Sequence, residues 1–160
     1  TETTSNEKTI AKKTHDLAKE LGIKPSDITV DNFGVGANVA KELLLLDSTF
    51  AVNSLNWGDK ALDESVYINR RAEAHFRGRE WLIRGGAVVG DELKKEICAI
   101  DYQNTLSGKK KIMDKPKLKV KLGRSPDRSD AFFLTFCEPE QMEVQQSNYQ
   151  EPPLDPYSAI

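Results

Sequence analysis

The chain has 160 residues, of which 38% are hydrophobic and 30% charged, a length and balance that fit one globular domain with a real core and exclude a fibrous or wholly disordered chain. No run is long and apolar enough to span a membrane, and the polar start has no signal-peptide pattern. The two cysteines, Cys98 and Cys137, make neither a disulfide framework nor a zinc spacing, so both read as buried small hydrophobes of a reducing compartment. The net charge of −2 conceals a segregation: residues 109–124 carry eight basic side chains (Lys109, Lys110, Lys111, Lys115, Lys117, Lys119, Lys121, Arg124) against one acid, Asp114. Residues 138–160 carry five acids, four of the seven prolines and no Lys or Arg, which predicts a flexible acidic Pro-rich tail behind a body spanning 1–137.

From the N-terminus, where Thr1 in place of an initiator Met suggests an excised domain, residues 8–21 set Ile10, Leu17 and Leu21 near helical spacing, with Gly22 as a stop. Pro25-Ser26-Asp27 predicts a turn, and Ile28-Thr29-Val30 a short β-branched strand ending at Asp31. The loop Asn32-Phe33-Gly34-Val35-Gly36 has two permissive glycines, residues 38–46 continue as an apolar helix, and 50–55 read as a second strand. Strand, helix and strand predict a parallel pair in an α/β layered domain. Two strands are too few for a stable sheet, so further strands come from less obvious segments or the domain begins before Thr1.

Residues 67–84 read as a long helix with Ile68, Ala72, Phe76 and Ile83 inward and Arg70, Arg71, Arg77, Arg79 and Arg84 on the remaining surface, ended by Gly85-Gly86. Residues 92–100 follow as a short helix or strand, then a turn at Ser107-Gly108. The alternation of Lys117, Lys119 and Lys121 with Leu118, Val120 and Leu122 fits an edge strand blunted by lysines, a solvated face or a track for phosphates. Ser125-Pro126-Asp127 opens the last helix, with Ser125 as N-cap, Pro126 at the first helical position and Asp127 complementing the helix dipole.

On that helix Phe133, Leu134 and Cys137 lie three, four and seven residues beyond Asp130, so the acid shares the side a core would cover. An acid there is costly unless paired or metal-bound. Asp130 therefore reads either as a boundary residue facing solvent or an Arg, or as a metal ligand. Asp31 reads as an Asx-turn residue closing its strand or, since chemistry in open α/β sheets gathers at the carboxyl ends of strands, as a ligand. Hard divalent cations take oxygen ligands, and a pair of them about 4 Å apart needs several converging carboxylates. Asp31 and Asp130 can converge only through the fold.

Other chemistries find little support. Gly34-Val35-Gly36 lacks the third small position of a dinucleotide fingerprint, and its acid precedes the glycines. No Walker-type run and no nucleophile arrangement of Ser or Cys occurs. His15 and His75 read as exposed or boundary histidines, and Trp57 and Trp81 as core anchors.

Four segments in order resemble the C-terminal nuclease domain of the large terminase subunit of tailed bacteriophages. They are Ile28 to Gly36, Asn69-Arg70-Arg71-Ala72-Glu73 leading to Arg79-Glu80-Trp81-Leu82, the basic run, and Ser125 to Phe136, which carries the most weight. The resemblance implies a ribonuclease-H-like α/β fold, a mixed sheet flanked by helices, here lacking its first strands. It further implies two Mg2+ or Mn2+ ions and endonucleolytic cutting of concatemeric double-stranded DNA. By position Asp31 resembles the second catalytic acid and Asp130 the last, with Asp127 as an auxiliary metal-site acid. The first acid of the family has no counterpart here, Asp16 being mid-helix. The eight basic residues from Lys109 to Arg124 would hold the DNA backbone. Implied partners are the terminase ATPase domain, the small terminase subunit and the portal, at the procapsid in the cytoplasm of a bacterial host, with no membrane. Two alternatives stand beside this: a non-catalytic DNA- or portal-binding fragment, and another ribonuclease-H-like nuclease such as a junction resolvase.

Overall fold

The computed structural model of the chain describes residues 2–138. The expected tail, apart from Glu138, lies outside the described residues. The elements run α1 (Glu2–Leu21), a 3-10 turn (Pro25–Asp27), β1 (Thr29–Asp31), α2 (Val35–Leu46), β2 (Asn53–Leu55), α3 (Arg70–Ile83), α4 (Asp91–Cys98), β3 (Tyr102–Asn104), β4 (Lys110–Ile112), α5 (Lys115–Leu122) and α6 (Asp127–Leu134).

β1 and β2 pair in parallel, Thr29 opposite Asn53 and Asp31 opposite Leu55, with α2 as the crossover. This is the strand–helix–strand unit that the sequence predicts. A second, antiparallel pair is made by β3 and β4 around the turn at Ser107-Gly108, with Tyr102 opposite Ile112, and Tyr67 adds a bridge to Lys110. These strands are among the less obvious segments: β3 is exposed along its length, so it lacks the apolar alternation by which strands are read. No helix among the described residues is long and apolar enough to cross a membrane.

α1 packs on α2 through small residues. Ala11 and Ala18 are buried with Val39, Leu43 and Phe50, while Ile10, Leu17 and Leu21, the expected inward face, are exposed. Alanines let the two helix axes approach closely, and Leu43, wholly buried, fills the space between them, which is worth about 2 kcal/mol by transfer. Spacing of large apolar residues misled here because the contact is made by the smallest ones.

α3 is the central helix. Its N-cap is Asn69, whose side chain accepts from the Ala72 N–H at 2.9 Å. Ala72 and Phe76 are buried as expected, but Ile68 precedes the helix and Ile83 is exposed, while Arg70, Glu73 and His75 are buried. The one-sided reading fails because α3 is covered on several sides, by β4, α6 and the chain around Trp57 and Leu62. Glu73 is satisfied there: it accepts from the Leu62 N–H at 2.7 Å and pairs with Arg77 at 2.9 Å.

The Lys117–Leu122 stretch is helix rather than edge strand. Pro116 suits a first turn, Gly123 closes the helix in the left-handed conformation (φ 71°), and only Leu118 is buried while Val120 is 83% exposed. Three further expectations are corrected. Cys98 is exposed, at the end of α4, and only Cys137 is buried. Trp81 is 41% exposed and packs on Phe132 and Phe136 at the surface, whereas Trp57, half-buried, does pack on the core at Leu55, Ala74 and Cys137. His75 is buried, stacked on Phe133 with ring centroids 4.0 Å apart.

Candidate active site

Asp31 reaches the site because β1 stops there and the chain reverses at once into α2. Gly34 makes the reversal with φ 63°, and Gly36 is a close approach: a Cβ there would stand 2.0 Å from the Asp31 carbonyl oxygen. The two glycines thus press the first turn of α2 against the end of the strand.

Asp130 reaches the same place on α6, which packs on β1, α3 and α4. The start of α6 differs from expectation. Pro126 stands at the N-cap, and the Ser125 hydroxyl donates to the Asp127 carboxylate at 2.5 Å instead of capping. The free N–H groups are served from another helix: Glu96 of α4, wholly buried, accepts from the Ser129 N–H at 2.7 Å and pairs with the Arg124 guanidinium, which also binds Glu92 at 2.7 Å. Gly78 lets α6 lie close on α3, since a Cβ there would meet the Phe133 ring at 2.7 Å. Phe133 is buried on the same helix as Asp130, as its spacing predicts, while Cys137 lies beyond the helix end and is buried with Leu55 and Ala74.

Asp31 and Asp130 line one open cleft of about 420 Å³ together with Phe33, Asn56, Trp57, Asn69, Arg71, Asp114 and Lys115. Burial raises the Asp31 carboxyl above its ordinary range, opposed by the Phe33 backbone N–H and the Lys115 charge and reinforced by the Asp130 charge. Oδ1 of Asp31 and both carboxylate oxygens of Asp130 are buried without accepting a hydrogen bond, although the Lys115 ammonium makes an ion contact with Asp130 Oδ2 at 2.6 Å. Arg71 is held by its Nη1, which donates to the Met113 carbonyl at 2.8 Å, leaving Nη2 buried without a hydrogen bond. Burial lowers its pKa, opposed by the Asp130 and Asp114 charges.

Two acids, each with a buried Oδ1 that accepts no hydrogen bond, and two cations in the same cleft, Lys115 in contact with Asp130, suit a hard cation together with a phosphate. Among the described residues no group of three or more His, Cys, Asp or Glu is placed to hold a metal ion. Asp127 is exposed and outside the cleft. The nearest further carboxylate on the cleft wall is Asp114, which pairs with Lys111 at 3.0 Å.

The basic residues divide. Lys110 lies over the Tyr67 and Phe76 rings, at 5.6 and 4.6 Å from their centroids, Lys111 binds Asp114, Lys121 binds Asp101 at 2.8 Å, and Arg124 is held by Glu92 and Glu96. Lys109 is half-buried, while Lys117 and Lys119 stand exposed on α5 beside Lys115. Sequence reasoning missed Phe33, Asn56, Asn69, Arg71 and Asp114 as cleft residues. Phe33, Asn69 and Arg71 stood within segments that carry the terminase resemblance, but nothing in spacing distinguished Arg71 from Arg77 or Arg79.

No protein-family model matches the chain, and no curated protein is similar to it. Solved structures are. The nuclease domain of the large terminase subunit gp2 of bacterial virus Sf6 superposes with a TM-score of 0.63 at 22% identity, over 81% of this chain and 71% of that one. A point mutant of that domain with manganese gives 0.63 at 22% over 81% and 72%, and one with calcium 0.62 at 21% over 81% and 71%. The chain thus has the fold of that domain, a ribonuclease-H-like α/β arrangement.

Proposed function

We propose that this chain is the metal-dependent endonuclease domain of a phage DNA-packaging terminase, hydrolysing phosphodiesters of concatemeric double-stranded DNA. The observation that carries the reading is the convergence of Asp31, at a strand end, and Asp130, on a helix, in one cleft where Oδ1 of each is buried and accepts no hydrogen bond. The likeness in fold to a terminase nuclease domain supports it.

Asp31 and Asp130 would hold divalent cations, Mg2+ or Mn2+ and two in number by resemblance. When bound, such ions lower the pKa of water and offset phosphate charge. Asp127, one turn before Asp130, is kept as an auxiliary acid at the edge of this assignment. The chain's own residues do the rest. Lys115 and Arg71 supply positive charge to the wall that a scissile phosphate would face. Lys117 and Lys119, with Lys109, extend that charge along the DNA backbone without reading sequence. The other basic residues of the segment serve chiefly to hold α5 and the hairpin in place. The ATPase domain, small subunit and portal enter as partners of the whole machine.

A second reading, a non-catalytic module that binds DNA or the portal, is favoured by the finding that among the described residues no group of three or more His, Cys, Asp or Glu is placed to hold a metal ion. Plasmid cutting in Mn2+ separates the two. The nuclease reading expects nicks and breaks that Asp31→Asn and Asp130→Asn each abolish, and cutting that survives both changes refutes it.

A further inference from the structure

The cleft that holds Asp31 and Asp130 also carries two aromatic rings: Trp57, one side of which packs on the core at Leu55, Ala74 and Cys137, and Phe33, which neither the core nor hydrolysis uses. Phe33 follows Asp31 by two residues and is 82% exposed, whereas a ring of that size is normally buried or occupied. Trp57 stands on the same cleft, half-buried, with its ring packed edge-on to His75 at 5.9 Å. Their neighbours Asn56 and Asn69 have their amide oxygens engaged, by the Gly58 N–H at 3.0 Å and the Ala72 N–H at 2.9 Å, so that each keeps its amide N–H groups as donors. Lys115 and Arg71 supply the cleft's positive charge. Aromatic rings beside cationic side chains, with polar donors between them, are the composition of a surface that takes unstacked bases.

A paired base in duplex DNA has both faces covered by its neighbours, so an exposed ring beside the backbone gains contact only from a base that has left the stack. The cleft volume of about 420 Å³ lies within the range of sites for small organic groups. Resting on the nuclease reading for its ligand, we infer that this cleft admits an unstacked nucleobase, with Phe33 as the ring it stacks on and Trp57 as part of the same lining. The preferred substrate is DNA that is locally unpaired at the site, by fraying, a bubble or a single-stranded run. Because every base has a π-face, the preference is for strand opening rather than for sequence.

The test is binding to oligonucleotides carrying 2-aminopurine, in EDTA so that no cutting occurs, with single-stranded, bubble-containing and fully paired versions of one sequence. Unpaired forms are expected to bind more tightly and to show quenching of the probe. Phe33→Ala should weaken binding to them about 5- to 150-fold and abolish the quenching, with paired-duplex binding little changed; Phe33→Tyr should restore both. Circular dichroism checks that the variants fold, which the exposure of the ring favours. Equal affinity for paired and unpaired DNA, or a Phe33→Ala loss that is the same on both, overturns the inference. Asp31→Asn is run alongside, in EDTA for quenching and separately in Mn2+ for plasmid cutting: base quenching that persists there supports stacking whatever becomes of cutting, and cutting that survives Asp31→Asn condemns hydrolysis by this acid and leaves the stacking result standing.

Discussion

Replacing His75 by leucine is expected to remove a pH dependence of stability that the native protein shows between pH 8 and pH 5. The ring is buried under Phe133 and beside Trp57, with Nδ1 2.7 Å from the Arg71 carbonyl and Nε2 without a partner. Burial first, and the Arg71 charge second, push its pKa down from 6.5 to about 3, opposed by the hydrogen bond to the Arg71 backbone. The sign follows from proton uptake. Below pH 6.5 the unfolded chain binds a proton at this position that the folded chain refuses, so stability is fully present above pH 6.5 and is lost as pH falls toward 3. Linkage gives a slope approaching about 1.4 kcal/mol per pH unit and a loss of about 2 kcal/mol by pH 5. Urea titrations at several pH values, on the native protein and His75→Leu, measure it. Asp16, Asp47, Asp63, Glu92 and Asp114 have lowered pKa values, so the stability they confer is lost below this window, and the comparison with the variant cancels their share. Parallel pH profiles for the two proteins would refute the reasoning, because they would mean that the folded ring takes up its proton as readily as the unfolded one.

Gly78→Ala places a methyl 2.7 Å from Phe133, so α6 must shift from α3; a loss of about 1–3 kcal/mol in urea unfolding, with reduced cutting from the displaced Asp130, is expected. Glu96→Gln keeps an acceptor for the Ser129 N–H, whereas Glu96→Ala leaves that buried donor bare, and the alanine variant should be less stable by about 1–3 kcal/mol than the glutamine one in thermal or urea melts. Lys117→Ala together with Lys119→Ala should weaken DNA binding without regard to sequence and flatten the plot of log affinity against log salt by about 2 units of slope, measured by fluorescence anisotropy.

Much of the site's local grammar was legible. A short β-branched run ending in Asp31, a glycine turn and an apolar helix spell a strand–helix–strand unit, and the spacing of Phe133 from Asp130 marks that acid as core-facing. The helix at Lys115–Leu122 was not legible, because its alternating lysines carry a period of two while Pro116, Gly123 and the burial of Leu118 alone set the conformation. The burial of α1 by alanines was hidden for a similar reason: apolar periodicity weighs large side chains, and a close helix contact selects small ones.

What the sequence determined by itself was therefore local: where strands and helices begin, which acid ends a strand and which rides an apolar helix, and a resemblance strong enough to predict the fold. Tertiary structure alone decided that Asp31 and Asp130, 99 positions apart in the numbering, share a cleft with Lys115 and Arg71. It also decided that Glu96 caps α6 from another helix, and that Phe33 stands bare beside the acids. The physical reason is that periodicity and capping report on neighbours within a turn or two, whereas convergence of charges depends on how helices pack, and at Gly36 and Gly78 that packing hangs on the absence of a single Cβ.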